Sequence, residues 1–177
     1  MTPPHPPHPF LEQVAAVPVV AILRAADAGR FLQVGRVLYE AGVRAVAAGA
    51  AYLVAPDFRP EMVAFAVGRG IPVVPGALTP TEVAAAWAAG ATAVKVFPVS
   101  AVGGPAYVKA VRAPLPEVPL VPTGGVGIDD IGAYLAAGAA AVGLGAPLLG
   151  DAGDAGGDLA ALADRARRAV AATRADR

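Results

Sequence analysis

A helix that stops at glycine and passes at once into an apolar strand recurs along this 177-residue chain. Gly42 precedes Val43-Arg44-Ala45-Val46, and Gly49 precedes Ala50-Ala51-Tyr52-Leu53-Val54. Gly70, Gly90 and Gly138 stand before similar runs. Each glycine suits the left-handed position that ends a helix. Alternating strands and helices predict a parallel sheet covered by helices. Strands are expected near 18–23, 52–56, 71–75, 92–97, 118–122 and 140–144. Helices are expected near 28–41, 60–69, 80–89, 105–112, 129–137 and 158–173. Thr79-Pro80-Thr81-Glu82 reads as a capping box with proline in the first turn.

The spacing of these glycines measures the repeating unit. Gly49 and Gly70 are 21 residues apart, Gly70 and Gly90 are 20 apart, and Gly90 and Gly138 are 48 apart, or two units. Gly42 and Gly49 are only 7 apart. A parallel crossover needs a dozen residues or more, so no unit fits there. The expected fold is therefore a (β/α)8 TIM-barrel-type α/β domain that is incomplete, with about six parallel strands. Two units are missing between Gly42 and Gly49. The barrel domain is expected over 17–177. A Pro/His-rich flexible tail and first-helix lead-in would occupy 1–16, and a flexible linker 150–157.

Only two lysines occur, Lys95 and Lys109. Lys95 sits inside Ala93-Val94-Lys95-Val96-Phe97, a buried-strand pattern. Burial disfavours the ammonium form, and a neutral amine is a nucleophile able to form a Schiff base with a carbonyl. Alternation along the strand places Ala93, Lys95 and Phe97 on one face, near the carboxyl end where parallel α/β folds build sites. The next strand runs into Thr123-Gly124-Gly125, and the last into Gly143-Leu144-Gly145-Ala146. Paired glycines let backbone amides approach an anion, and barrels often hold phosphate after their last two strands. Asp129 and Asp130 fit a helix start better than an acid/base pair. Asp57, before Arg59-Pro60, fits a turn, although it could point into the barrel mouth.

Other chemistries are narrowed by composition. There is no cysteine, and both histidines, His5 and His8, lie in the opening MTPPHPPHP. Neither a thiol or histidine dyad nor a metal centre is expected in the core. Fourteen basic residues balance fourteen acidic ones, which offers nothing to nucleic acid or an anionic membrane. The uncharged stretch from Ile131 to Gly150 is broken by glycines and Pro147, so a membrane span is not expected. A cytoplasmic location follows as the expectation.

Together these segments resemble one family. Val17-Pro18-Val19-Val20-Ala21-Ile22-Leu23-Arg24, Ile71-Pro72-Val73-Val74-Pro75-Gly76-Ala77-Leu78-Thr79-Pro80-Thr81-Glu82, Val94-Lys95-Val96-Phe97-Pro98 and Val121-Pro122-Thr123-Gly124-Gly125-Val126 are similar to motifs of the KDPG/KHG aldolases. These class I aldolases cleave 2-keto-3-deoxy-6-phosphogluconate to pyruvate and glyceraldehyde 3-phosphate. The resemblance implies Lys95 as the Schiff-base residue and Phe97 as a wall of the pyruvate pocket. It implies Thr123 as the control on stereochemistry and Gly124, Gly125 and Gly145 as phosphate-loop positions. Pro56 would lie near pyruvate, and Arg24 would be the basic residue after the first strand. It further implies a homotrimer, a keto-acid or phosphorylated sugar-acid ligand, and no cofactor.

All but one of the departures fall in the gap. The family's general-base glutamate, its carboxylate-binding arginine and its Gly-Ala-Gly-Thr motif have no counterpart, and Ala146 replaces a phosphate-loop serine. Three readings stay open: an aldolase of reduced activity, a non-catalytic sugar-acid-binding or assembly remnant, and a chain unable to fold alone through a deletion or gene-model error.

Overall fold

A computed structural model describes residues 9–22, 30–43, 45–46 and 52–174. Strand β1 (Val19–Ala21) pairs in parallel with β2 (Ala45–Val46) on one side and β8 (Val142–Leu144) on the other. β8 meets β7 (Leu120–Pro122) through the Thr123–Gly143 bridge and a 2.9 Å bond from the Ala140 amide to the Leu120 carbonyl. β7 pairs with β6 (Val94–Val96), β6 with β5 (Gly76–Ala77), and β4 (Val73–Val74) with β3 (Leu53–Val54). β4 and β5 are one strand interrupted at Pro75. The carbonyls of Val73, Pro75 and Ala77 all accept bonds from the β6 side.

The eight short strands therefore fill seven positions in an open arc, from β2 through β1, β8, β7, β6 and β5/β4 to β3. Among the described residues no ladder joins β2 to β3. Among the described residues the barrel is open between β2 and β3, a gap that overlaps the Gly42–Gly49 interval in which the glycine spacing places the missing units. The one added strand is β2, two residues long, which follows the Gly42 turn; the six expected strands are all present.

Helices α2 (Phe31–Glu40), α3 (Pro60–Val67), α4 (Pro80–Ala88), α5 (Pro105–Arg112), α6 (Ile131–Ala136) and α8 (Leu159–Ala172) cover the outside, with a short α7 (Ala146–Leu149) after β8. Gly42, Gly70, Gly90 and Gly138 all take positive φ, as their capping role requires. Thr79 and Glu82 form the reciprocal capping box. Asp158 caps α8 through the amides of Ala160 and Ala161. The capping role expected of Asp129 and Asp130 is different in detail. Asp130 folds back to accept from the Gly127 amide at 2.9 Å, and Asp129 pairs with Arg168 at 3.2 Å.

Strand alternation divides the core. Val19, Ala21, Val94, Val96, Leu120, Val142 and Leu144 face the helices, in one cluster with Leu38, Val83, Val108, Ile131 and Leu162. Val20, Val74, Ala93, Val121 and Ala141 face inward and pack with Phe10, Val14 and Tyr52. The lead-in is thus itself a helix, α1 (Pro9–Ala16), whose Phe10 and Val14 are buried in the interior.

Segment 150–157 is not a free linker, because Ala152 is fully buried and Arg30 donates to the carbonyls of Asp154 and Gly157. A guanidinium brought in from residue 30 was not legible in the glycine-rich composition.

Tyr52 fills the barrel interior beside Phe10, with ring centroids 4.6 Å apart. Its hydroxyl has no hydrogen-bond partner among the described residues, and burial pushes the phenol pKa well above its ordinary value. The phenol stays neutral and pays desolvation without return. Tyr52→Phe is expected to leave stability unchanged or raise it by about 1 kcal/mol in urea unfolding. A loss of stability would show that the hydroxyl has a partner.

Candidate active site

Lys95 sits at the centre of β6, held on both sides. Its amide donates to the Pro75 carbonyl at 2.9 Å, and it lies in register with Gly76 and Val121. Only 2% of the residue is exposed. Ala93 on the same face belongs to the interior cluster and Val94 and Val96 to the outer one, so the lysine points into the barrel. Its Nζ stands 4.5 Å from the centroid of the Phe97 ring, within cation–π range when protonated.

Phe97 is the link between this lysine and a cavity of about 420 Å³. Phe97, Thr123, Gly124, Gly125, Gly143 and Gly145 all contribute to its lining. The structure thus gathers five of the expected site residues around one space, with Lys95 buried behind Phe97 rather than on the lining itself. Pro56 lies apart from the lining. Its carbonyl crosses β5 so closely that a Cβ on Gly76 would come within 2.1 Å of it, and Gly76 is the neighbour of Lys95 in register. Arg24 lies outside the described residues. Asp57 takes the turn role, bound to Arg59 at 2.8 Å and half exposed.

The floor of the cavity is rigidly zipped. The Val99 amide donates to the Thr123 carbonyl at 2.9 Å and the Ser100 amide to the Gly124 carbonyl at 3.2 Å. The carbonyls of this turn are thereby consumed. The amides of Gly124 and Gly125 donate to no backbone carbonyl among the described residues. With φ of 86° and 75°, both glycines adopt a conformation that side chains rarely tolerate. The loop can therefore offer N–H donors to an anion.

Thr123 is buried, and its hydroxyl donates to the Val121 carbonyl at 3.1 Å. The hydrogen is committed, so the oxygen lone pairs are what it can present to a ligand. Its Oγ1 packs onto Gly143, where a Cβ would come within 2.2 Å. The sequence reading missed Gly143, because the contact joins two strands and no local motif announces it. It also missed the far wall, where Leu149, Gly150, Gly153 and Asp154 join the lining. Asp154 is the sole ionisable side chain among the described lining residues. No group of three or more metal-ligating side chains occurs among the described residues, and none of their helices is long and apolar enough to cross a membrane.

The family profile for KDPG and KHG aldolase matches residues 11–163. The 2-dehydro-3-deoxy-phosphogluconate aldolase of Treponema pallidum is 37% identical over 124 residues, 70% of this chain and 59% of that protein. The 2-dehydro-3-deoxy-6-phosphogalactonate aldolase of Escherichia coli is 39% identical over 132 residues, 73% of this chain and 64% of that protein. A solved structure of native KDPGal superposes with a TM-score of 0.79 at 29% identity, covering 89% of this chain and 95% of that one. The chain spans 59% and 64% of the length of these two curated relatives.

Proposed function

The chain belongs to the KDPG/KHG aldolase family, and we propose that it is a Schiff-base carbon–carbon lyase built on Lys95. The substrate on this reading is 2-keto-3-deoxy-6-phosphogluconate or a related 2-keto-4-hydroxy acid, and the products are pyruvate and an aldehyde. The observation that carries it is a lysine 2% exposed, facing the barrel interior and stacked on a phenylalanine that lines the cavity.

The chemistry follows from those positions. The neutral Lys95 amine adds to the keto carbon, and loss of water leaves an imine. The C4 hydroxyl gives up its proton to solvent water as the C3–C4 bond breaks, and the electron pair of that bond moves into the protonated imine. The aldehyde departs, the resulting enamine is protonated at C3, and hydrolysis returns the amine and pyruvate. Phe97 would flank the pyruvate portion, with Pro56 nearby. Thr123, with only lone pairs to offer, would accept from the C4 hydroxyl and orient it. The amides of Gly124, Gly125 and Gly145 would hold a distal phosphate, and Arg24 would add positive charge at the mouth. Homotrimeric assembly and a cytoplasmic location complete the proposal by analogy with the family.

Ala146 bears on the phosphate half of this reading. It lines the cavity and supplies no hydroxyl. A hydrogen bond to a charged group contributes about 1.5–3 kcal/mol, or roughly one to two decades in affinity. Ala146→Ser is expected to tighten a phosphorylated ligand by that order in a calorimetric titration. Unchanged affinity would place the phosphate elsewhere.

A second reading, a non-catalytic sugar-acid-binding remnant, draws on the same cavity. Among the described residues its lining holds one carboxylate, Asp154, which is exposed on the far wall. Incubation with pyruvate and borohydride, followed by peptide mapping, separates the two. A reduced adduct on Lys95 supports the lyase, and its absence leaves only the binding role.

A further inference from the structure

The far wall of the cavity is made of backbone and small residues, and it is held in place from outside by two arginines. Arg165 reaches out of α8. Its Nε donates to the Leu148 carbonyl at 2.7 Å and its Nη2 to the Leu149 carbonyl at 2.8 Å. These belong to the last residues of α7, whose carbonyls have no intrahelical partners. Gly150 follows with φ of 55°, and a Cβ there would lie 2.6 Å from Arg165 Nη2. The guanidinium is therefore seated against bare backbone. Arg30, just before α2, donates to the carbonyls of Asp154 and Gly157, the latter at 3.1 Å. Leu149, Gly150, Gly153 and Asp154 line the cavity, and neither arginine is among the lining residues.

We propose that Arg165, assisted by Arg30, is a positioning residue that sets affinity for the distal, aldehyde-side end of the substrate and takes no part in imine formation at Lys95. The inference rests on the lyase reading above. A planar guanidinium can bridge two successive carbonyls, which a lysine ammonium does less well. Segments with few anchoring contacts open locally at low cost, so removal of this clamp frees the wall. Displacement of binding groups by about 1 Å costs up to two decades where positioning matters.

The test uses the full chain and two probes, glycerol 3-phosphate for the distal half and pyruvate with borohydride for Lys95. Arg165→Met keeps the stem length and removes the donors. Arg165→Gln keeps a polar side chain but loses the bridging guanidinium. Both are expected to weaken glycerol 3-phosphate about tenfold or more, measured well below each variant's melting temperature, with the rate of pyruvate trapping unchanged. Arg165→Lys should fall between. A lowered melting temperature with unchanged phosphate affinity would reduce Arg165 to a structural role and overturn the inference. Equal losses in both probes would overturn it too, because the clamp would then act on the whole site. An unmodified chain that traps pyruvate but ignores glycerol 3-phosphate defeats this inference alone. Failure of both probes defeats the lyase reading and the inference with it.

Discussion

Replacement of Lys95 is expected to abolish covalent capture of pyruvate altogether. Borohydride reduction of the unmodified chain with pyruvate should add one reduced pyruvyl group to the peptide carrying Lys95, and none should form in Lys95→Met. Methionine is the better variant because it keeps most of the volume of a fully packed side chain, whereas alanine would leave a cavity costing about 2–5 kcal/mol. Lys109 provides the internal control. It is exposed on α5, in the same chain and under the same reductant, but it has no enclosing pocket. Non-specific reductive alkylation would mark Lys109 at least as strongly as Lys95. An adduct confined to Lys109, or persisting in Lys95→Met, would remove the lysine from the mechanism. Retention of thermal unfolding by the methionine variant separates lost chemistry from a lost fold.

The parts of this site that could be read in the sequence share a physical cause. Period-two alternation in 93–97 turns Lys95 and Phe97 to one face, and the interior cluster that includes Ala93 bears that out. Glycine caps mark unit length because glycine takes the positive φ that ends these helices cheaply, as Gly42, Gly70, Gly90 and Gly138 do. The short Gly42–Gly49 interval, whose Gly49 lies outside the described residues, overlaps the opening between β2 and β3. What was not legible depends on contacts distant in sequence. The seat of Thr123 on Gly143 joins two strands, and the bond from Arg30 to Asp154 crosses 124 positions. Composition also misleads at 150–157. Six glycine and alanine residues there look flexible, yet the burial of Ala152 and the two bonds from Arg30 order the segment into a wall of the cavity.

Turnover by the purified chain is expected to be at least a hundredfold below that of a typical enzyme, about 10 s⁻¹, even where imine forms. Aldol cleavage requires proton movement at the carbinolamine and at the C4 hydroxyl. Thr123 can accept and orient, but a hydroxyl whose hydrogen is committed to Val121 is no base near neutral pH. Asp57 is bound to Arg59 and half exposed, away from the cavity lining. Asp154 is an exposed residue on the wall formed after α7. General acid/base assistance contributes about 10²–10⁴ in rate, or roughly 3–5 kcal/mol, and the strand expected to carry it falls in the opening between β2 and β3. The measurement is cleavage of 2-keto-3-deoxy-6-phosphogluconate, followed as pyruvate release, for the chain alone and for Lys95→Met, Asp57→Asn and Asp154→Asn. Slow turnover lost in the lysine variant and unchanged in Asp57→Asn is the expected result. Turnover near 10 s⁻¹, abolished with Lys95, would show that proton transfer is supplied after all. A matching loss in Asp154→Asn would then identify the far wall as its source. Insertion of two strand–helix units bearing a glutamate between 46 and 52 should recover 10²–10⁴ in rate if their absence is the cause.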